Sequence, residues 1–243
     1  MTTNIGLARS YGRSVSEKRP TEIKRGVLET AAGSCLIKTG KTIVLCTATI
    51  EERVSPWRKG SGLGWITAEY SMLPASTATR TPRERATRKG RSMEIERLIG
   101  RSLRTVVDMG ALGGEVTFHI DCDVVQADGG TRTAAVTGSW VALHDAIEMW
   151  KNAGKLSGEP LLGQVAAISV GMVDGRLLLD LDYQEDSRAE VDLNLVMNEK
   201  GEIIELQGTG EQVDFSRDKL DKMLDMAQDG IKELLDAQLE ACK

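Results

Sequence analysis

Two hydrophobic periodicities dominate the middle of this chain. Val116, Phe118, Ile120 and Cys122 alternate with Thr117, His119, Asp121 and Asp123, the period-two pattern of a strand with one face buried. Val136, Trp140, Leu143, Ile147 and Trp150 then recur at steps of four, three, four and three, which predicts an amphipathic helix. A Gly-Gly turn, Gly129-Gly130, joins the two within DCDVVQADGGTRT.

Upstream, residues 34–39 and 42–50 read as a hairpin about Gly40-Lys41, and the second arm is apolar enough to predict cover on both faces. Residues 51–64 read as a loop. Their GSGLG looks like half a dinucleotide fingerprint, but the following Trp65-Ile66-Thr67 predicts strand where a Rossmann turn needs helix. An arginine-rich loop spans 71–92, and a helix follows over 93–109 with Ile95, Leu98, Ile99, Leu103 and Val106 on one face. After a link over 156–163, the arms 165–173 and 176–183 join through Asp174-Gly175, a strong hairpin signal. Residues 189–197 and 203–208 pair across 199–201, and Ser216 is an N-cap for a final helix bearing Leu220, Leu224, Ala227, Ile231, Leu234 and Leu235. Strands followed by helix occur twice. The prediction is an α+β fold, mixed sheets with packed helices, built from two related halves (about 12–154 and 163–243) forming one globular unit rather than an alternating βαβ sheet. Residues 1–30 are polar and predicted to wrap the surface.

Composition narrows the function. In 243 residues, 41% hydrophobic, no apolar run approaches bilayer length, and MTTNIGLARSYGR lacks the apolar core of a signal peptide, so a soluble cytoplasmic protein is expected. Cys35, Cys46, Cys122 and Cys242 are too scattered for a zinc site and read as reduced structural thiols. The net charge of −5 argues against a polyanion partner, but residues 80–104 carry nine cations against Glu84, Glu94 and Glu96, a block of +6 on a remainder of −11. Such a block suits a polyanion, although many do no more than solvate a helix. Within it, Arg97, Arg101 and Arg104 are spaced to line one edge of the helix.

The strand–Gly-Gly–helix turn offers unpaired first-turn N–H groups, the positive end of a helix dipole, the Thr131 hydroxyl and the Arg132 guanidinium, together a seat for phosphate. The same arrangement also serves as an ordinary connection, and the lysine of a P-loop is missing. Further along, Asp180, Asp182, Asp186 and Asp192 could converge at one sheet edge, where a hard divalent cation would relieve their repulsion. This is no EF-hand, because Glu185 and Val191 stand where Gly and Glu are needed; an acidic solvated hairpin face is the plain alternative. No nucleophile–base pair is evident around His119 or His144. Phosphoryl transfer by inorganic phosphate, already anionic, needs none.

The strings DCDVVQADGGTRTA, GWITAEYSMLP, GRSMEIERLIGRSLR, YQEDSRAEVDLN and EIIELQGTGE closely resemble the ribonuclease PH family, bacterial phosphate-dependent exoribonucleases that trim tRNA 3′ ends. The resemblance runs from about Gly12 into the final helix. It implies that Arg91, Gly130, Thr131 and Arg132 hold the attacking phosphate, that Asp186 and Asp192 bind Mg²⁺, and that Arg80 and Arg83 guide RNA. It further implies tRNA precursors and other RNA 3′ ends as substrates, a role in tRNA and rRNA processing, and a homohexameric ring. Ala75 departs from the family's usual MLPR, which puts one backbone contact to RNA in doubt. Two other readings stay open: a ring subunit that binds RNA without cutting it, and a metal-dependent hydrolytic nuclease.

Overall fold

The computed structural model describes residues 9–83 and 90–243. Among these described residues, nine strands form two sheets. The first has the order β1-β2-β3-β5-β4, from β1 (Thr21–Arg25), β2 (Gly33–Thr39), β3 (Thr42–Glu51), β4 (Trp65–Met72) and β5 (Thr117–Gln126). The second has the order β7-β6-β8-β9, from β6 (Val165–Val173), β7 (Arg176–Leu179), β8 (Val191–Asn198) and β9 (Ile203–Gly210). Helices α1 (Gly90–Thr105), α2 (Thr131–Asn152), the single turn α3 (Tyr183–Asp186) and α4 (Arg217–Cys242) complete the fold.

The predicted hairpins form. Thr39 pairs with Thr42 across Gly40, and Asp174 and Gly175 both take left-handed φ values of 50° and 71° between β6 and β7. All pairs but one are antiparallel; β4 and β5 run parallel with α1 as their crossover. A single βαβ unit is thus embedded at one edge of the first sheet, a connection the strand-then-helix reading missed.

Helix α2 is the pivot. Fifteen of its 22 residues are buried, far more than one amphipathic stripe, because it lies on β2 and β3 with one side and on β6 with another. Close approach requires small residues: a Cβ on Gly138 would sit 2.8 Å from Ile37 Cγ2 and 2.9 Å from Cys46 Sγ. On the opposite side, Thr137 Oγ1 accepts from the Ala167 N–H at 3.2 Å. Every residue of β6 is buried, with Val165 and Ala167 in the core shared with α2 and Ala166, Ile168, Val170 and Met172 in a second core against α4. The fully buried Gln238 of α4 donates to Thr137 O and Val165 O, both at 2.9 Å, and fastens the layers together.

Four expectations need correction. Strand β3 is covered on one face only: Val44, Cys46 and Ala48 are buried, while Ile43 and Leu45 on the other face are half-buried. The N-terminal segment does not simply wrap the surface. Arg13 and Arg19 are buried, and β1 joins the first sheet. Strand β7 stops at Leu179, because Asp180 turns to φ +54° and engages Arg19. The helix predicted over 93–109 begins earlier, at Gly90, and ends at Thr105. Residues 84–89 of the arginine-rich loop, including Arg85, Arg88 and Lys89, lie outside the described residues.

All four cysteines are free. Cys242 closes a small cluster with His144 and Asp145, whose ligand-type atoms lie within 4.8 Å of one another. This is an ion-pair cluster: Arg25 occupies both Asp145 oxygens at 2.6–3.0 Å, and bonds to Asp145 and Cys242 push the His144 imidazole up to about 9.

Candidate active site

The glycine turn is built by contacts from three distant segments. Gly129 and Gly130 are consecutively left-handed, at φ +74° and +62°. A Cβ on Gly129 would lie 2.5 Å from Leu181 O, so the second half of the chain presses directly on the turn. Thr42 Oγ1 donates to Gly129 O at 2.6 Å and accepts from the Asp128 N–H at 2.9 Å. Arg19 donates to Asp128 O and is held in turn by Asp180, whose oxygens accept from Nη2 at 2.6 Å and Nε at 2.9 Å. This ion pair is buried at both ends and joins the N-terminal segment, the turn and the second sheet. No local pattern around Arg19 announces the role; its partner lies 161 residues away.

Gly130 caps α2 without a side-chain bond, leaving first-turn N–H groups facing outward. Thr131, the first helical residue, accepts a hydrogen bond from the buried Tyr70 phenol at 2.9 Å. Arg132 donates from Nη1 to Gln207 Oε1 at 2.9 Å and to Glu94 Oε1 at 3.3 Å, with Gln207 Nε2 donating to Glu94 at 3.1 Å. Thus β9 and α1 aim the arginine fork, and neither residue carried a sequence signal for that task.

Asp186 and Asp192 face each other from α3 and β8, while the other two aspartates are committed elsewhere. Asp180 pairs with Arg19, and Asp182 caps α3 by accepting from the Glu185 N–H at 3.0 Å. The predicted convergence of four carboxylates is therefore a convergence of two. Burial, reinforced by the charge of Asp186, pushes the Asp192 carboxyl up to about 6. Burial also raises Asp186, against the pull of Arg91 and Arg132. Asp192 Oδ1 is buried without a hydrogen-bond partner, while Oδ2 accepts from Asn194 Nδ2 at 3.0 Å. An orphaned buried oxygen beside a second, repelling carboxylate suits a hard divalent cation.

Arg91, Gly130, Thr131, Arg132, Asp186 and Asp192 line one cleft of about 670 Å³. Thr77 and Thr81 reach its wall, whereas Arg80 and Arg83 are exposed on the same segment and do not line it. Of the three helical arginines predicted to line one edge, Arg97 is exposed while the other two are engaged within the protein. Arg101 pairs with Glu205 at 2.6 Å, and Arg104 donates to Ile66 O at 2.9 Å while stacked 4.5 Å over Trp65. Neither histidine lines the cleft. Ala75 is exposed.

Comparison with known proteins gives a consistent picture. Two models match: the 3′ exoribonuclease family, domain 1, over residues 17–147, and domain 2 of the same family over residues 163–230. The chain is 55% identical over 237 residues to ribonuclease PH of Corynebacterium kroppenstedtii, covering 97% of this chain and 93% of the relative. It is 56% identical over 236 residues to ribonuclease PH of Mycobacterium ulcerans, covering 96% and 91%. Among solved structures, rice Rrp46 superposes with a TM-score of 0.77 at 19% identity, covering 97% of this chain and all of the other. A chain of the Archaeoglobus fulgidus exosome with RNA bound to the active site gives 0.77 at 21% identity, covering 94% and 91%; at such identities the likeness is one of fold.

Proposed function

The chain belongs to the 3′ exoribonuclease family and is a phosphate-dependent 3′ exoribonuclease; from that premise we propose that the cleft between α2 and the second sheet carries out the reaction. Orthophosphate sits on the α2 N-terminus at Gly130, held by the Thr131 hydroxyl and the guanidinium groups of Arg91 and Arg132. One of its oxygens attacks the phosphorus of the last internucleotide bond. That phosphorus–O3′ bond breaks, the departing O3′ takes a proton, and the products are a nucleoside 5′-diphosphate and an RNA one residue shorter. Because a phosphodiester is exchanged for a phosphoanhydride, nucleotide addition runs through the same cleft in reverse. The arginines meet the charge that develops on the non-bridging oxygens. Asp186 and Asp192 would hold Mg²⁺, which when bound supplies further positive charge at the reacting phosphate.

What supports this reading above all is the meeting, in one cleft, of an uncapped helix N-terminus, two arginines and a carboxylate pair with an orphaned oxygen. Incubating a short RNA with and without orthophosphate tests it. Nucleoside diphosphates formed only with phosphate are expected. Monophosphates without it would make the cleft hydrolytic, and no product would leave an RNA-binding subunit.

The proposal extends to substrates and assembly. Precursor tRNAs and other RNA 3′ ends are the substrates, with Arg80 and Arg83 guiding them from outside the cleft, and the cytoplasm is the place of action. The half-open face of the first sheet, where Ile43 and Leu45 are incompletely covered, supports a homo-oligomer, a hexameric ring. The two halves, about 12–154 and 163–243, are related units, a reading supported by a sheet with a packed helix in each.

A further inference from the structure

Three threonines stand in the first two turns of α2, and their hydroxyls behave differently. Thr133 Oγ1 donates back to Gly130 O at 2.9 Å, and Thr137 Oγ1 donates to Thr133 O at 3.0 Å. Both protons are spent on the helix's own carbonyls. Thr131 Oγ1 accepts from the Tyr70 phenol at 2.9 Å and makes no other hydrogen bond among the described residues, while its side chain forms part of the cleft wall.

A hydroxyl oxygen has one proton and two lone pairs. Once a lone pair is taken by a fixed donor, the proton must point elsewhere, here into the cleft. Tyr70 is a well-fixed donor. It sits in β4 opposite Cys122 of β5, it is only 4% exposed, and its backbone N–H reaches Glu96 Oε1 on α1 at 3.4 Å. Burial raises the phenol's pKa, so it stays protonated and donating at neutral pH. Donation into an oxygen also strengthens that oxygen's own O–H as a donor.

We propose that Tyr70 is a positioning residue for orthophosphate: its phenol, buried behind the seat, locks the Thr131 hydroxyl so that the threonine proton is presented to a phosphate oxygen. The inference rests on reading the Gly130–Arg132 turn as the phosphate seat. Tyr70 touches no substrate and acts only through Thr131. The same seat takes the β-phosphate of a nucleoside diphosphate in the direction of synthesis, so the effect of Tyr70 must appear on both sides of the reaction.

The test is steady-state kinetics of Tyr70→Phe, Thr131→Val and the double variant, with folding followed by thermal melts. For Tyr70→Phe, the KM for orthophosphate should rise about three- to tenfold, the range expected for losing one neutral hydrogen bond. The kcat at saturating phosphate should stay within about twofold and the KM for RNA should not move, while the KM for nucleoside diphosphate rises in step. In the Thr131→Val background, adding Tyr70→Phe should change nothing further. An unchanged phosphate KM in Tyr70→Phe, or a penalty that persists in full without the Thr131 hydroxyl, overturns the proposal. If Thr131→Val itself leaves the phosphate KM unaltered, the seat is misplaced and the inference falls with it. Should Tyr70→Phe fail to fold, 3-fluorotyrosine at position 70 replaces it. As a stronger donor of nearly the same shape, it should lower the phosphate KM, and an unchanged or raised value counts against the proposal.

Discussion

At the scale of single residues, the account turns on geometry that charge alone does not provide. Arg132 bonds Gln207 and Glu94 through Nη1, which fixes the plane of its guanidinium at the mouth of the α2 N-terminus. Lysine would keep the charge and lose the fork, so Arg132→Lys should lose most phosphorolysis while melting near the wild-type temperature. A near-normal rate in that variant would remove the guanidinium from the mechanism. Asp192→Asn should retain RNA binding in a filter assay but lose Mg²⁺-dependent turnover; turnover at the wild-type level would move the cation elsewhere. The geometry of the turn was legible in the sequence because Gly129, Gly130, Thr131 and Arg132 are consecutive and their chemistry is local. Tyr70, Glu94 and Gln207 were not, since each reaches the site from 38 to 75 residues away and carries no mark of its target in its own neighbourhood.

Among the elements, the strand-to-helix turn depends on a buttress that periodicity does not reveal. Leu177, Leu179 and Leu181 alternate as though β7 continued, yet Asp180 leaves the strand to meet Arg19 behind the glycines. A tertiary ion pair overrides a local pattern, and the four-aspartate expectation failed partly for the same reason and partly because Asp182 caps α3. Because both side chains are buried, Arg19→Met should cost about 3–5 kcal/mol in a urea melt by removing the nearest counter-charge of Asp180 and leaving it the more distant Arg13 at 3.8 Å. A loss below 1 kcal/mol, on the order of a surface pair, would deny the buttress its role. The hairpins and α4 were read correctly because their signals, Asp174-Gly175 and the Ser216 cap, act within a few residues. Helix α2 was recognised but its cover was underestimated, since a sequence window cannot tell that a second sheet packs on what looks like a polar side.

For the whole molecule, the first and last described segments are both tied to the body of the fold. Arg9 and Arg13 bind Glu185 beside the carboxylate pair, and Cys242 reaches His144 in the middle of α2. The latter tie predicts a pH dependence. Bonds to Asp145 and then Cys242 hold the His144 pKa at about 9, above the ordinary value of 6.5. A raised folded-state pKa contributes stability that is complete below the unfolded value and disappears as pH climbs through the folded one. The melting temperature should therefore fall between about pH 6.5 and 9, and His144→Gln should flatten that slope; parallel slopes for the two proteins would mean that the imidazole is not the titrating group.

The central claim is that free orthophosphate, seated at Gly130–Arg132, becomes part of the product. Incubation of the enzyme with unlabelled RNA and ³²P-orthophosphate, followed by separation of the nucleotides released, tests it most directly. The account predicts label in the β-position of nucleoside 5′-diphosphates, in amounts equal to the residues removed. Release of unlabelled nucleoside monophosphates at the same rate would contradict it.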